Sequence, residues 1–417
     1  MGCDVIVAGG GPAGSAAAYV LAKAGADVTI LERARFPRDK SCGDGITPHA
    51  IRILEDMGLA FESFEGRATK TFGGLISGPG GGTFCAKPPP GADGEPQASW
   101  VVPRRILDAA LVRAAQRAGA KLREGTIVSS VIFDKGIAAG VEARDGNAAE
   151  RVRARVVIGA DGAHSAVARS LGIGDNSPRN LGYALRGYYE NVEGLTDDLE
   201  IHYYEKELLP GYGWVFPVGP SRANVGVGIY IGELRRSGRH LRDILEGFLA
   251  SVPAVAARFA GARQCGHTTG WPLPVSSANR RTVFDGAMLT GDAASLVDPL
   301  TGEGIYTALV SGRSAGRAAL HALRTGNALR GALQSHEREW KSIAGGYLSS
   351  GRILKNLAKS ARLFDLVVER AAANPYYASR AIGYGLGTLD RRRALRSIVY
   401  RALLTPRFFR RISGRTT

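Results

Sequence analysis

Apolar positions along this chain follow two patterns. Near the N-terminus short β-branched runs flank an alanine-rich stretch, and in the middle short strands alternate with turns. Residues 4–8 (DVIVA) suit a buried central strand, 15–24 predict a helix ending at Gly25, and 28–31 (VTIL) predict a second strand. Together these make a βαβ unit. Two further buried strands, at 156–159 and 288–290, each run into a turn and a helix. Residues 182–190, 198–204, 213–217 and 222–230 predict an antiparallel sheet, with a helix near 234–250. The Gly- and Pro-rich stretch 78–97 predicts a loop or an irregular hairpin. Beyond 325 the pattern is helical, and Leu395, Ile398, Val399, Ala402 and Leu403 fall on one apolar helix face.

Composition narrows the class. A chain of 417 residues, 45% hydrophobic and 22% charged, predicts a globular protein of two or three domains. It holds no uninterrupted apolar run of roughly 18 residues, the length a spanning helix needs. The first residues read as a strand and not as a signal peptide, and Ile6 breaks the myristoylation pattern. Four dispersed cysteines without a CxxC pair predict a reduced, cytoplasmic protein; neither they nor the seven histidines show metal-ligand spacing. The net charge of +16 is concentrated at the end, where residues 391–417 carry nine arginines and no acid. Such a block suits nucleic acid or an anionic membrane surface. The chain carries no nucleic-acid-binding motif, which favours peripheral contact at the inner face of a membrane. A helix docked on the protein, with its arginines in solvent, accounts for the same pattern.

Gly9, Gly11 and Gly14 form G-x-G-x-x-G between the first strand and its helix, with Pro12 and Ala13 inside the loop. Gly9 permits the tight turn, Gly11 lets backbone approach a pyrophosphate, and Gly14 lets helix and strand pack closely. The helix N-terminus offers free N–H groups to phosphate, and Glu32 ends the second strand where it can accept hydrogen bonds from ribose hydroxyls. The complete set predicts dinucleotide binding. No second fingerprint opens a helix elsewhere, so a reductase with two dinucleotide domains is not expected.

Later segments identify the dinucleotide by resemblance. The runs around Gly159-Ala160-Asp161-Gly162 and Gly291-Asp292, followed by Asp298-Pro299-Leu300-Thr301-Gly302-Glu303-Gly304-Ile305, resemble motifs of the para-hydroxybenzoate-hydroxylase-like flavoproteins. Arg104, Leu107 and Asp108 resemble the arginine motif of the same superfamily. The resemblance implies an α/β fold: a Rossmann-type FAD-binding domain, an antiparallel-sheet substrate domain and a helical C-terminus. It places Asp292 near the ribityl chain, Arg104 near the pyrophosphate, and Pro299, Gly302, Gly304 and Ile305 beside the isoalloxazine. Arg33 and Val128 join the cofactor set on the same basis. For Asp161, contact with the cofactor and bracing of its own turn are equally good readings, and His164 reads as a helix-start residue.

Two more stretches resemble one branch, the geranylgeranyl reductase family with its menaquinone-chain-reducing members. Lys40-Ser41-Cys42-Gly43-Asp44-Gly45 matches K-x-C-G-x-G, and Tyr212-Gly213-Trp214-Val215-Phe216-Pro217 matches Y-x-W-x-F-P. Asp44 stands where many members have glycine. Related halogenases carry W-x-W-x-I-P, so Tyr212 and Phe216 argue against halogenation. The resemblance covers roughly residues 3–325. It implies FAD-dependent saturation of isolated C=C bonds in an isoprenoid lipid or quinone, with electrons from NAD(P)H or ferredoxin. Cys42, Gly43, Asp44 and Gly45 would lie by the flavin. Cys42 could tune it, line the cavity or donate a proton, while Tyr212, Trp214 and Phe216 suit either the walls of a substrate tunnel or strand packing.

The FAD-binding domain is expected to be discontinuous (1–70, 101–178 and 272–325), with a substrate domain at 71–100 and 179–271 and a helical region at 326–417. An aromatic monooxygenase on the same scaffold, or a flavin-binding protein without catalysis, are the alternatives.

Overall fold

A computed structural model describes residues 2–393 and 395, apart from 65, 147, 175, 278 and 279. The arginine-rich stretch from 396 onward, with most of the expected amphipathic helix, lies outside the described residues.

The Gly2–Ala8 strand is central in the first sheet. It runs parallel to Val28–Glu32 on one side and to Ala148–Gly159 on the other; Lys121–Glu124 and Ala287–Leu289 extend the parallel layer. Both faces of the strand are covered, which is why it reads as a continuous β-branched run. Val5 and Val7 pack with Ala17, Leu21 and Ala315 of the helical layer, while Ile6 and Ala8 point to the opposite core with Val141, Leu289 and Trp340. An antiparallel meander of Thr126–Asp134, Ile137–Asp145 and Ala148–Gly159 flanks this layer.

Helices Pro12–Lys23 and Ile305–Thr325 pack with their backbones close together. A Cβ on Gly312 would lie 2.1 Å from the Ala13 carbonyl oxygen, and one on Gly316 would lie 2.9 Å from that of Ala17. Glycines one turn apart thus bring the last flavin-domain helix against the first.

A seven-stranded sheet roofs the site in the order Arg263–Pro274, Leu181–Glu190, Ala223–Tyr230, Tyr212–Pro217, Asp198–His202, Gly73–Ser77 and Thr83–Ala86. Within the expected 78–97 loop, Thr83–Ala86 pairs back on Gly73–Ser77, so the hairpin alternative is the correct one. The helix expected near 234–250 is two helices, Ile231–Ser237 and Leu241–Ser251. Gly238, at φ 63°, ends the first in the left-handed conformation that commonly terminates helices. Phe248, Ile244 and Leu245 of the second helix cover the outer face of the sheet against Val215, Val225 and Val227. On the outer edge, helices Ala361–Ala372 and Pro375–Gly385 pack Val368, Ala371, Ala378 and Ile382 on Phe84. The expected class, a Rossmann-type layer with an antiparallel roof and a helical C-terminus, is the one observed, except that Asp198–His202 and Gly73–Ser77 pair parallel within the roof.

Candidate active site

The glycine loop shapes a groove. Gly9 has φ 97°, and a Cβ there would lie 2.4 Å from the Ala160 carbonyl oxygen; one on Gly14 would lie 1.9 Å from that of Gly9. Gly11 differs, since the nearest atom to its Cβ position is the tip of Arg38 at 3.9 Å. The third glycine therefore closes helix on strand beneath the loop, whereas the second leaves an open approach, as a pyrophosphate requires. Glu32 ends its strand nearly buried and accepts from the backbone N–H groups of Gly10 (2.8 Å) and Ala34 (3.0 Å). A carboxylate has about four acceptor sites, so room remains for ribose hydroxyls.

Basic side chains gather beside this groove. Arg104 pairs through two bonds with Asp108 (2.7 and 2.8 Å), which also accepts from Arg38 at 2.8 Å; Lys40 reaches Asp292 at 3.1 Å. Lys40 opens the Cys42 motif and Arg38 lies two residues before it, yet spacing gave them no role; the fold turns both toward the groove. Arg33 lies over the Trp271 ring at 5.6 Å, and Val128 lines the same groove. Asp161 lines the groove, but its carboxylate accepts from Ser165 Oγ and from the N–H groups of Ala166 (2.7 Å) and Val167 (3.1 Å). It thereby caps the short Ala166–Ser170 helix while lining the groove. His164 stands at that helix start against Trp271.

The motif loop 42–45 lies under the roof sheet. Asp44 is fully buried with φ 65°, the backbone region that glycine occupies freely. Its Oδ2 accepts from Tyr188 Oη (2.5 Å) and Asn224 Nδ2 (2.7 Å). Asn224 also donates to the Cys42 carbonyl (2.8 Å) and accepts from Trp214 Nε1 (3.0 Å). Burial pushes Asp44 up to about 6 against the donors that surround it. Burial also raises the Cys42 thiol, opposed by the Arg104 guanidinium and the Asp44 backbone N–H. Tyr212, Trp214 and Phe216 all face the cavity from one side of their strand. Gly226 makes space for the indole: a Cβ there would lie 2.4 Å from Trp214 Cζ2. Gly43 sits directly under Phe216.

Gly302, Gly304 and Ile305 open the Ile305–Thr325 helix at the cavity. Pro299 does not line the cavity; it is buried behind the loop, its carbonyl accepting from Tyr230 Oη at 2.5 Å. Glu303, to which sequence reasoning gave no role, accepts from the Tyr306 N–H through Oε1, while its buried Oε2 has no protein partner. Burial pushes Glu303 up to about 7. Trp271 Nε1, at the other end of the groove, is likewise buried without a protein partner.

One cavity of about 830 Å³ joins these parts. Its first section follows the Gly9–Gly14 loop, Glu32 and Asp292. The second is apolar and runs past Trp214, Phe216, Leu199 and Ile201 to Ile382 and Leu386. The open approach over Gly11, the cations nearby and the unpartnered polar atoms at both ends fit a dinucleotide lying in the first section.

A Rossmann-type layer whose nucleotide groove opens beneath an antiparallel roof defines an FAD-dependent oxidoreductase. The model of the FAD binding domain family matches residues 2–349. Menaquinone reductase of Mycolicibacterium smegmatis is 38% identical over 317 residues, 75% of each chain. Digeranylgeranylglycerophospholipid reductase 2 of Methanopyrus kandleri is 36% identical over 374 residues, 87% of this chain and 86% of its own. A solved geranylgeranyl bacteriochlorophyll reductase-like protein from Thermoplasma acidophilum superposes with a TM-score of 0.79 at 27% identity, covering 89% of this chain and 91% of that one. The chain belongs to the FAD-binding family and, within it, to the geranylgeranyl reductase family. The myxobacterial chondrochloren halogenase shares the fold, with a TM-score of 0.74 at 24% identity over 86% of this chain and 84% of its own.

Proposed function

We propose that this protein saturates isolated C=C bonds in the isoprenoid chain of a lipid or quinone. The observation that carries the reading is the continuity of the nucleotide groove with an apolar chamber walled by Trp214, Phe216, Leu199 and Ile201. Bound FAD supplies the hydride. The chain's own residues hold the rest of the chemistry. An unpolarised double bond needs its two carbons fixed against the flavin face, water excluded and a proton delivered to one carbon. The aromatic wall performs the first two tasks, and its π faces stabilise positive charge developing on carbon. Cys42 is the proton donor in this reading: burial keeps its thiol protonated, and the Arg104 guanidinium beside it partly offsets that burial when the proton leaves. Glu32 and the Gly9–Gly14 loop hold the adenosine side, Asp292 and Arg104 the middle of the cofactor. The electron donor is NAD(P)H or ferredoxin.

The domain division follows the same function: flavin binding at 1–70, 101–178 and 272–325, substrate binding at 71–100 and 179–271, and a helical region at 326–417. Among the described residues no helix is long and apolar enough to cross a membrane. The arginine-rich C-terminus holds the enzyme at the anionic cytoplasmic face, where such substrates reside.

The deciding experiment is anaerobic incubation of the reduced holoenzyme with a polyprenyl quinone and with a geranylgeranylated lipid, followed by mass spectrometry. A gain of two mass units per reduced bond supports the reading. Product formed only with oxygen, and carrying an added oxygen atom, would make the protein a monooxygenase instead.

A further inference from the structure

Strand Arg263–Pro274 pairs with Leu181–Glu190 at one end of the roof sheet and passes along the nucleotide groove. Alternation puts Thr269, Trp271 and Leu273 on one face of this strand, and all three line the cavity, while Pro272 between them does not. The first two carry donors without a partner. Thr269 Oγ1 and Trp271 Nε1 are both buried and make no hydrogen bond among the described residues. Buried polar atoms in native proteins are paired in the large majority, because an unmade bond there costs free energy. An indole N–H can only donate, so the group that satisfies Trp271 is an acceptor. Both donors are held in place, since the Thr269 carbonyl accepts from Ser41 Oγ of the motif loop at 2.8 Å.

The surroundings make that acceptor an anion. Arg33 (5.6 Å) and Lys40 (5.8 Å) lie over the Trp271 ring, His164 meets it edge to face at 5.4 Å, and Arg169 lines the same cavity. Lys40 is offset by Asp292, but among the described residues no acid pairs with Arg33 or Arg169. The other carboxylates at this end are occupied. Asp161 accepts from the Ala166 and Val167 N–H groups, and Asp39 accepts from Arg186. Further along the strand, Leu273 reaches the start of the Ile305–Thr325 helix, where a Cβ on Gly302 would lie 3.8 Å from its Cδ1. One strand thus runs from a cationic mouth to the flavin-side helix, and its unpartnered donors lie at the cationic end.

We propose that Thr269 and Trp271 bind the diphosphate of FAD, the one anionic segment of that molecule, donating Oγ1–H and Nε1–H to its oxygens. The cofactor is then gripped by the roof as well as by the Gly9–Gly14 loop, and it joins the two layers. A hydrogen bond to a charged oxygen is stronger than one between neutral groups, which is why two such donors matter for retention. The inference depends on FAD binding and not on the isoprenoid reading, so no isoprenoid is needed to test it.

Release of FAD from the intact holoenzyme is the test, followed as the rise of free-flavin fluorescence after dilution. Thr269→Val keeps the shape of the side chain and loses the hydroxyl, whereas Thr269→Ser keeps the hydroxyl and loses a methyl group. Trp271→Phe keeps an aromatic ring without a donor, and Trp271→His keeps a donor on a smaller ring. Measured at pH 8, where an imidazole is neutral, release should be about tenfold faster than wild type in Thr269→Val and in Trp271→Phe. Thr269→Ser should stay within about threefold of wild type, and Trp271→His should release more slowly than Trp271→Phe. Side chains that only pack would give the reverse order, and that order at either position overturns the proposal. So does a wild-type rate in either variant that lacks the donor. Unchanged release with more NAD(P)H needed to half-reduce the flavin would give these donors to the diphosphate of the electron donor, and overturns it as well.

Discussion

Arg391 donates both of its Asp298 hydrogen bonds at 2.9 Å from a site where neither side chain is exposed to solvent. The guanidinium also covers the Tyr347 ring at 3.9 Å and donates to the Tyr384 carbonyl at 2.7 Å. Asp298 in turn accepts from Thr301 Oγ1 (2.7 Å) and Thr301 N–H (3.1 Å), so one ion pair joins the C-terminal segment to the loop that opens the flavin-side helix. Gly351 makes the pairing possible, because a Cβ there would lie 2.3 Å from Asp298 Oδ1.

Breaking that pair from one side should be costly. Arg391→Met leaves a buried carboxylate alone, and about 3–5 kcal/mol of stability should be lost. FAD should also dissociate more readily, since the Thr301–Gly304 loop loses its anchor. Denaturant titration and the flavin absorbance retained after gel filtration measure both effects. Unchanged retention would separate the C-terminal segment from the cofactor site.

The two aspartates of the flavin motifs should respond differently to truncation. Asp292→Ala removes a carboxylate facing the groove, and FAD retention should drop. Asp161→Ala removes a helix cap, costing on the order of 1 kcal/mol in stability with less effect on FAD. Melting temperatures and bound flavin, measured on both variants, distinguish the roles; equal flavin loss in two folded variants would contradict them.

Trp214 combines a cavity wall with a hydrogen bond to Asn224. Trp214→Ala should cost about 3–5 kcal/mol as a buried truncation. Trp214→Phe keeps a ring on Gly226 and loses chiefly the indole N–H, so about 1 kcal/mol is expected. FAD content should stay near wild type in Trp214→Phe while turnover of a polyprenyl substrate falls. A parallel loss of flavin would place the residue in cofactor binding instead.

His336 gives the fold an acid-sensitive point. It is fully buried between Ser314 Oγ (2.8 Å) and the Leu289 carbonyl (3.0 Å), and burial lowers it from 6.5 to about 4. A depressed folded value means the stabilisation is present above pH 6.5 and is lost as pH falls through 4. The loss should reach about 3 kcal/mol at the acid end. Urea midpoints between pH 7 and 4 should show this slope, and His336→Gln should flatten it.

Much of this architecture could be read from the chain because its signals are local. A β-branched run followed by G-x-G-x-x-G states the backbone angles and close approaches of the first turn, and period-two alternation put Tyr212, Trp214 and Phe216 on one face before any contact was known. What the residues do once folded was less legible. Asp161 could have served the cofactor or its own helix, and only the fold showed its carboxylate accepting three hydrogen bonds at the start of that helix while it lines the groove. Pro299 shares a motif with Gly302 and Gly304, yet lies behind the loop because Tyr230 holds its carbonyl. The helix near 234–250 was read as continuous because one glycine inside a periodic stretch carries too little information to mark a break.

The sequence by itself determined most of the elements, the dinucleotide loop and the family, since these rest on spacings of a few residues that fix backbone geometry and the facing of side chains. Only the tertiary structure decided that Asp44 sits under Tyr188 and Asn224, that Arg391 closes on Asp298, and that the groove runs on into an apolar chamber. Those relations join residues roughly a hundred or more positions apart. They exist because two sheets and a C-terminal helical layer stack at particular distances, and no local pattern of polar and apolar positions encodes that stacking.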